Sequence, residues 1–145
     1  MRAVTDGGHE TLARRALEEV CARADMQAAE QLYSSEFVDH VNGRVFHGHE
    51  GIRSSVQLYQ RLFRNLVIAV EDQVAEDDKV VSRFTLSGSR GGRRVTVSGV
   101  TISRFSNGRI AEDWTVTDSS SLVRQLGLRG TLAIGWTWLR SLARR

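Results

Sequence analysis

The stretch RFSNGRIAEDWTVTD, residues 104–118, predicts a β-hairpin that runs into a helix. β-Branched and apolar residues flank SNGR, which suits a type I turn with a left-handed Gly108 that forms a β-bulge. Because side chains alternate along a strand, one face carries Arg104 and Glu112, together with Val100, Ile102, Ile110, Trp114 and Val116. The opposite face carries Thr101, Ser103, Phe105, Ala111, Asp113, Thr115 and Thr117.

The sequence around this hairpin predicts an α+β fold. Two more strand-like stretches precede it, LVIAVEDQVAE and DKVVSRFTLSGS, and its first strand extends back as RRVTVSGVTISRF. Turn sequences separate these four predicted strands. The first half has helical spacing instead, with a long and a shorter helix up to Tyr33, a short strand with a loop, and a helix in GIRSSVQLYQRLF. We expect N-terminal helices packed on one face of a curved antiparallel sheet, with a ligand pocket between them.

Composition limits the class of protein. The 145 residues suit one domain, and 41% apolar with 26% charged residues is ordinary for a globular chain. The N-terminus lacks the apolar segment of a signal peptide and no apolar run is long enough to span a bilayer, so we expect a cytoplasmic protein without a membrane partner. The opening ten residues are polar and predict a loose lead-in. The single cysteine, Cys21, is expected to be a buried side chain.

The positive charge of the chain does not indicate nucleic-acid binding. The formal net charge is +3, and the arginines are scattered among acidic neighbours rather than gathered in one arm. The only dense basic groups are SRGGRR, residues 89–94, and LRSLARR at the C-terminus.

Five motifs in order resemble the SnoaL-like polyketide cyclases of the nuclear transport factor two-like superfamily. They are LYSSEFVDH, FHGHEGIR, VSRFTLSGS, ISRFSNGRIAEDW and LVRQLG, within about residues 10–128. The resemblance implies a cone-shaped α+β barrel with a hydrophobic pocket, a homodimer or higher homo-oligomer, and neither metal nor organic cofactor. It divides the chain into a SnoaL-like domain, 1–128, and a C-terminal amphipathic extension of the same domain, 129–145.

The resemblance also indicates which hairpin face lines the pocket. Cavity-facing acid and base groups of the cyclases and their relatives resemble the positions of Thr101 and Thr115. This chain has threonines where those enzymes have aspartate or histidine, and a hydroxyl is a poor acid or base near neutral pH. The two threonines are therefore candidates for orienting a ligand carbonyl or hydroxyl.

The candidate catalytic residues are Asp39, His40 and Asp113. The spacing from Asp39 to Gly48 is similar to that of the catalytic base in ketosteroid isomerases, and Asp113 shares the pocket face with Thr115. The isomerase resemblance ends at Leu17, where a tyrosine would be expected. A structural alternative is that Asp39 and His40 cap the loop before the glycines.

Other side chains have simpler interpretations. Tyr59, Phe63 and Phe105 are candidate apolar walls of the substrate pocket, or core residues. Glu112 predicts an ion pair with Arg104 or Arg83, Asp118 predicts a helix N-cap, and His47 with His49 predicts a solvated loop and no metal site. The tail, which contains Trp136 and Trp138, is expected to pack on its own domain or on a partner subunit.

Two functions from different classes fit these residues. The first is a cyclase or isomerase that acts on a hydrophobic polyketide-type intermediate by general acid/base chemistry, through aldol ring closure or epoxide opening. The second is a non-catalytic member of the same fold that binds a small molecule or another protein. The carboxyl groups favour an enzyme.

Overall fold

The computed structural model describes residues 6–143 and, within them, all side chains except those at positions 6, 7, 138, 141 and 142. Part of the predicted lead-in, residues 1–5, and the last two residues of the predicted extension lie outside the described residues, as do the side chains of Trp138 and Leu142. The rest of the lead-in is helical, since the first helix begins at Asp6.

The described part of the chain forms four helices and six strands. The helices are α1 (Asp6–Arg15, continued by a π-helical segment, Ala16–Cys21), α2 (Met26–Leu32), α3 (Gly48–Leu62) and α4 (Ser119–Leu142). The strands are β1 (Tyr33–Val41), β2 (Arg44–His47), β3 (Arg64–Glu76), β4 (Lys79–Arg90), β5 (Arg93–Ser106) and β6 (Arg109–Thr117). The α+β class is confirmed, whereas Tyr33, predicted to end a helix, begins a strand.

The strands form one open sheet in the order β2-β1-β6-β5-β4-β3. Strands β3 to β6 make the predicted antiparallel meander. Strand β1 pairs with β2 in a hairpin and lies parallel to β6 on its other side. The sheet is therefore mixed rather than wholly antiparallel, and the predicted short strand is a hairpin of two strands.

The turn between β5 and β6 corrects one prediction. Asn107 and Gly108 both have positive φ, at 52° and 74°, so the turn is a two-residue turn without a bulge at Gly108. The register shift falls one pair later, between Arg104 opposite Glu112 and Phe105 opposite Ile110. This shift moves Ile110 to the buried face, with 0% exposure, and the prediction that it lies on the outer face was wrong.

The core lies between one face of the sheet and helices α1 to α3. Its most completely buried large side chains include Val20, Phe37, Val80, Val95 and Ile110. They come from the first helical run and from four strands. Burial of each side chain contributes about 1.5–3 kcal/mol to stability, and this burial holds the helices against the sheet.

Helix α4 lies against the sheet near β5 and α3. The Gln125 side chain donates to the Thr96 carbonyl at 2.7 Å and accepts from the Thr96 amide at 2.9 Å, so it pairs with β5 as a neighbouring strand would. The helix is interrupted at Gly127, whose φ of 66° and ψ of −178° are not helical. After this kink Leu128, Leu132 and Trp136 are exposed.

Candidate active site

A narrow pocket lies between the sheet and the N-terminal helices, and we call it the inner pocket. It receives side chains from α3, from the π-helical segment and from strands β1, β3, β4, β5 and β6, and its volume is about 50 Å³. Its walls are largely apolar, with a few polar groups: Cys21, Tyr33, Asp39, Ser55, Tyr59, Thr101, Asp113, Thr115 and Thr117. This combination of apolar wall and convergent polar groups is typical of a small-molecule site.

Two carboxyl groups lie side by side on neighbouring strands of this pocket. Asp39 on β1 is paired in register with Asp113 on β6, and both line the inner pocket. They are 8% and 7% exposed respectively. Because β1 and β6 are parallel, the two side chains project from the same face at the same height.

Burial controls the protonation of both groups. Loss of water raises the pKa of Asp39 to about 7, against the opposing effects of His40 and the Ser55 hydroxyl. Desolvation raises the pKa of Asp113 well above its ordinary value; the charge of Asp39 adds to this rise and the Ser103 hydroxyl opposes it. Burial therefore favours the protonated form of Asp113, while Asp39 is poised between its two forms near neutral pH.

Asp113 also has an atom available to a ligand. Its Oδ1 is buried and has no hydrogen-bond partner among the described residues. Since an unpaired buried polar atom costs about 1–3 kcal/mol, a ligand group that bonds to it gains that energy back.

The two candidate threonines line the pocket beside the carboxyl groups. Thr101 and Thr115 are paired in register across β5 and β6, and their hydroxyl oxygens are 2.8 Å apart. Thr101 is 1% exposed. One hydroxyl proton is used between them, so the pair retains one donor for a ligand or a neighbour.

Three pocket groups were not among the sequence candidates for chemistry. The Cys21 thiol lies 4.0 Å from the Tyr33 hydroxyl, and both line the inner pocket. Desolvation raises the pKa of Cys21 to about 12 and raises the pKa of Tyr33. Cys21 is therefore a thiol rather than a nucleophile at neutral pH. Ser55 precedes Tyr59 by one helical turn on α3, and helical periodicity would have found it.

His40 is separated from the other catalytic candidates. Strand alternation directs it to the outer face of the sheet, where its Nε2 lies 2.9 Å from Glu112 Oε1 and its ring stacks on Trp114. Glu112 also accepts from Arg104 at 3.0 Å, which confirms the predicted Arg104 ion pair; Arg83 pairs with Asp72 instead. The structure brings Asp39 together with Asp113 and excludes His40 from their pocket.

The predicted aromatic walls divide between sites. Tyr59 lines the inner pocket, and burial raises the pKa of its hydroxyl. Phe105 does not line this pocket: it is buried in the core and stacks on His9. Phe63 lies beyond the pocket, in a second cavity.

This second cavity, which we call the outer cavity, lies between the sheet and α4. Its volume is about 350 Å³, and it is lined by residues that include Phe63, Leu122 and Ile134. It shares Tyr59, Leu86 and Thr117 with the inner pocket, so the two spaces adjoin. A ligand in the outer cavity can therefore extend towards the carboxyl groups.

The remaining sequence candidates have structural surroundings. Asp118 caps α4, accepting from the Ser121 amide at 3.0 Å, as predicted. His47 is exposed just before α3, whereas His49 is only partly exposed and its Nε2 lies 3.1 Å from the Tyr33 carbonyl oxygen. No cluster of three or more His, Cys, Asp or Glu in the described part of the chain is arranged to hold a metal ion. Within residues 6–143 no helix combines the length and apolarity needed to cross a bilayer.

The comparison with known sequences decides the family. The SnoaL-like polyketide cyclase profile matches residues 11–126, which is most of the chain and includes both aspartates. The chain belongs to the SnoaL-like polyketide cyclase family. No curated protein matches it.

Several solved structures have a similar architecture. TsrD from Streptomyces laurentii superposes with a TM-score of 0.74 at 27% identity, over 83% of this chain and 96% of TsrD. Wild-type IdmH, a candidate polyketide cyclase from Streptomyces antibioticus, superposes with a TM-score of 0.70 at 25% identity, over 83% of this chain and 99% of IdmH. A protein from Catenulispora acidiphila DSM 44928 with a ketosteroid isomerase-like fold superposes with a TM-score of 0.70 at 18% identity, over 84% of this chain and 94% of that protein. This likeness shows the fold alone.

Proposed function

We propose that this SnoaL-like protein is a cyclase or isomerase of a hydrophobic polyketide-type intermediate, acting by general acid/base chemistry. The supporting observation is the pair of buried carboxyl groups, Asp39 and Asp113, in register on parallel strands of the inner pocket. Pairs of titratable groups whose surroundings separate their pKa values commonly divide into a base and an acid.

In this proposal Asp39 is the base and Asp113 the acid. The Asp39 carboxylate removes a proton from a carbon next to a substrate carbonyl, and the enolate carbon attacks a second carbonyl of the same molecule. Asp113 gives its proton to the oxygen that becomes the alkoxide, so the ring closes as a neutral aldol. Epoxide opening needs the same division of roles, with the acid on the ring oxygen and the base on a hydroxyl.

The apolar cavity supports a hydrophobic substrate. The inner pocket holds little more than the reacting atoms, whereas the outer cavity lies in the range of about 300–1,000 Å³ that small-molecule sites occupy. Tyr59 lines both spaces, and in this proposal it contacts the substrate beside the reacting carbons. Thr101 and Thr115 are proposed to orient a substrate oxygen.

The proposal is tested with the isosteric variants Asp39→Asn and Asp113→Asn. Ring closure of a short poly-β-ketone and opening of an apolar epoxide would be followed by chromatography with mass detection. We expect each variant to lose about 10²- to 10⁴-fold in rate, the usual contribution of a positioned acid or base. The exposed residue Glu71 supplies the matched control Glu71→Gln. Unchanged rates in both aspartate variants, with folding verified by circular dichroism, would remove the assignment.

A non-catalytic binding protein is the second candidate. It is favoured by Thr101 and Thr115, whose positions resemble those of acid and base groups in related enzymes and whose hydroxyls hydrogen-bond to each other. This reading expects apolar ligands to bind the wild-type protein without being converted.

We also propose a homodimer, in which the outer face of the sheet pairs with that of a second copy. Val81, Ile102 and Trp114 form one row across β4, β5 and β6, and Val100 with Val116 form the next. Val116 is 68% exposed and Val100 40%. Such a contiguous apolar patch is typical of an interface, and a twofold axis would pair it with itself.

A further inference from the structure

A third cavity, which we call the arginine pocket, lies where the start of β3, the β4–β5 hairpin and α4 meet. Its volume is about 630 Å³. Four arginines line it: Arg61 at the end of α3, Arg64 on β3, Arg90 on β4 and Arg93 on β5. Gly91 and Gly92 form the hairpin turn with positive φ, and their lack of side chains leaves this rim open.

The positive charge of this pocket is not balanced locally. None of the described lining residues is acidic. The segments that contribute the lining, residues 61–64, 89–93 and 126–133, contain no Asp or Glu. Arg90 donates to the Leu62 carbonyl at 2.8 Å, which fixes its guanidinium at the end of α3. Four like charges around one cavity repel one another unless an anion joins them.

The arginine pocket adjoins the other two cavities. It shares Leu62 and Phe63 with the outer cavity, which in turn shares Tyr59, Leu86 and Thr117 with the inner pocket. An elongated molecule can therefore have one end among arginines, an apolar middle under α4 and its other end at Asp39 and Asp113.

We propose that the arginine pocket binds the anionic end group of the ligand, a phosphate or carboxylate attached to an apolar body. Guanidinium groups bind such oxyanions with two parallel hydrogen bonds, and four of them around one cavity favour a multiply charged group. This inference rests on the proposed function for the position of the apolar body, and it narrows the substrate class to amphiphilic molecules with an anionic terminus.

Binding of octyl phosphate, measured by calorimetry below its micelle concentration and at low ionic strength, tests the proposal. We expect octyl phosphate to bind at least about tenfold more tightly than octanol or inorganic phosphate, since charge-assisted hydrogen bonds add to apolar burial. The variant Arg64→Gln/Arg93→Gln is expected to lose about tenfold or more in octyl phosphate affinity and to keep its octanol affinity. The control Arg94→Gln/Arg129→Gln removes the same charge at exposed positions that do not line the pocket.

Each alternative occupant has a distinct outcome. Equal losses in the two double variants would overturn the proposal in favour of unspecific attraction. If inorganic phosphate binds as tightly as octyl phosphate, the proposal of an elongated ligand with an apolar body is overturned. Preferential binding of a duplex oligonucleotide or of anionic vesicles would instead assign the arginines to a macromolecule or a membrane. The variants Asp39→Asn and Asp113→Asn should still bind octyl phosphate, because the arginine pocket is unchanged in them. If these variants also leave turnover unchanged, the acid/base proposal fails while the arginine pocket is still supported, so the two proposals can fail separately.

Discussion

Asp39 and Asp113 are 74 positions apart along the chain, yet they are paired in register on two parallel strands, and both are nearly fully buried. Their proximity depends on the parallel pairing of β1 with β6. Strand β1 enters the sheet beside the last strand of the meander, so a residue from the first third of the chain meets one from the last. The acid/base proposal therefore depends on this one strand pairing.

The rate of the proposed reaction is expected to depend on pH with a bell-shaped profile. Activity requires Asp39 as carboxylate and Asp113 as acid, so kcat/KM should rise through an apparent pKa near 7 and fall at higher pH, where Asp113 loses its proton. Because the two carboxyls interact, the apparent values belong to the pair. A profile of initial rates against pH checks this, and a rate independent of pH between 5 and 9 would contradict the assignment.

The stability of the fold is expected to decline with pH through the same groups. The folded-state pKa of Asp39 is about 7 and its ordinary value is 3.8, so the folded protein holds this proton more tightly than the unfolded chain. The free energy of unfolding should then fall as pH rises from about 4 to about 7, by about 1.4 kcal/mol per unit in the ideal limit. Asp113, whose pKa is also raised in the folded protein, adds its own contribution over the same range and extends the decline to higher pH.

Urea unfolding at several pH values measures this slope. Asp39→Asn is expected to reduce the slope between pH 4 and 7 to the part that Asp113 contributes, and to raise stability at neutral pH, because the amide carries no charge to bury. The exposed-site variant Glu71→Gln should keep the wild-type slope. A slope that is equal in wild type and Asp39→Asn would mean that Asp39 is not desolvated in the folded protein.

The sequence indicated which strand residues face the pocket wherever strict alternation holds. Asp113 and Thr115 lie two positions apart and share the pocket face with Thr101, as predicted. The pairing of Thr101 with Thr115 across β5 and β6 is a finding of the structure. The same alternation directs His40 away from Asp39, a consequence visible in the sequence once β1 is known to be a strand. The face of Ile110 was predicted wrongly because the bulge lies beyond the turn rather than in it. A one-residue shift in register moves a strand residue to the opposite face of the sheet.

The cavities beyond the inner pocket depend on long-range packing that local patterns do not encode. SRGGRR stood out as a basic group, but its partners Arg61 and Arg64 belong to another helix and strand. Only the docking of α4, fixed by Gln125 on Thr96, closes a space over them.

Because Thr101 and Thr115 hydrogen-bond to each other, the effects of replacing them on the free energy of unfolding are expected to be coupled. Either single change to valine leaves the partner hydroxyl in a buried site without its bond, at a cost of about 1–3 kcal/mol. The variant Thr101→Val/Thr115→Val removes both polar groups and should cost less than the sum of the two single changes. Urea unfolding of the four proteins gives the coupling energy, with Thr96→Val as an exposed control. Strictly additive effects would show that the hydroxyls do not depend on each other.

The outer face of the sheet is expected to hold the dimer together. Ile102 lies at the centre of the apolar rows, between Val81 and Trp114, so Ile102→Glu places a charge where two copies would meet. Burial of that unpaired charge costs several kcal/mol, and the variant should be a monomer at concentrations where the wild type is a dimer. Sedimentation velocity over a concentration series measures the assembly state. Leu132→Glu is the matched control, because it adds the same charge to an exposed apolar position on α4. Dissociation by Leu132→Glu alone would place the interface on α4, and a wild type that sediments as a monomer throughout would exclude the dimer.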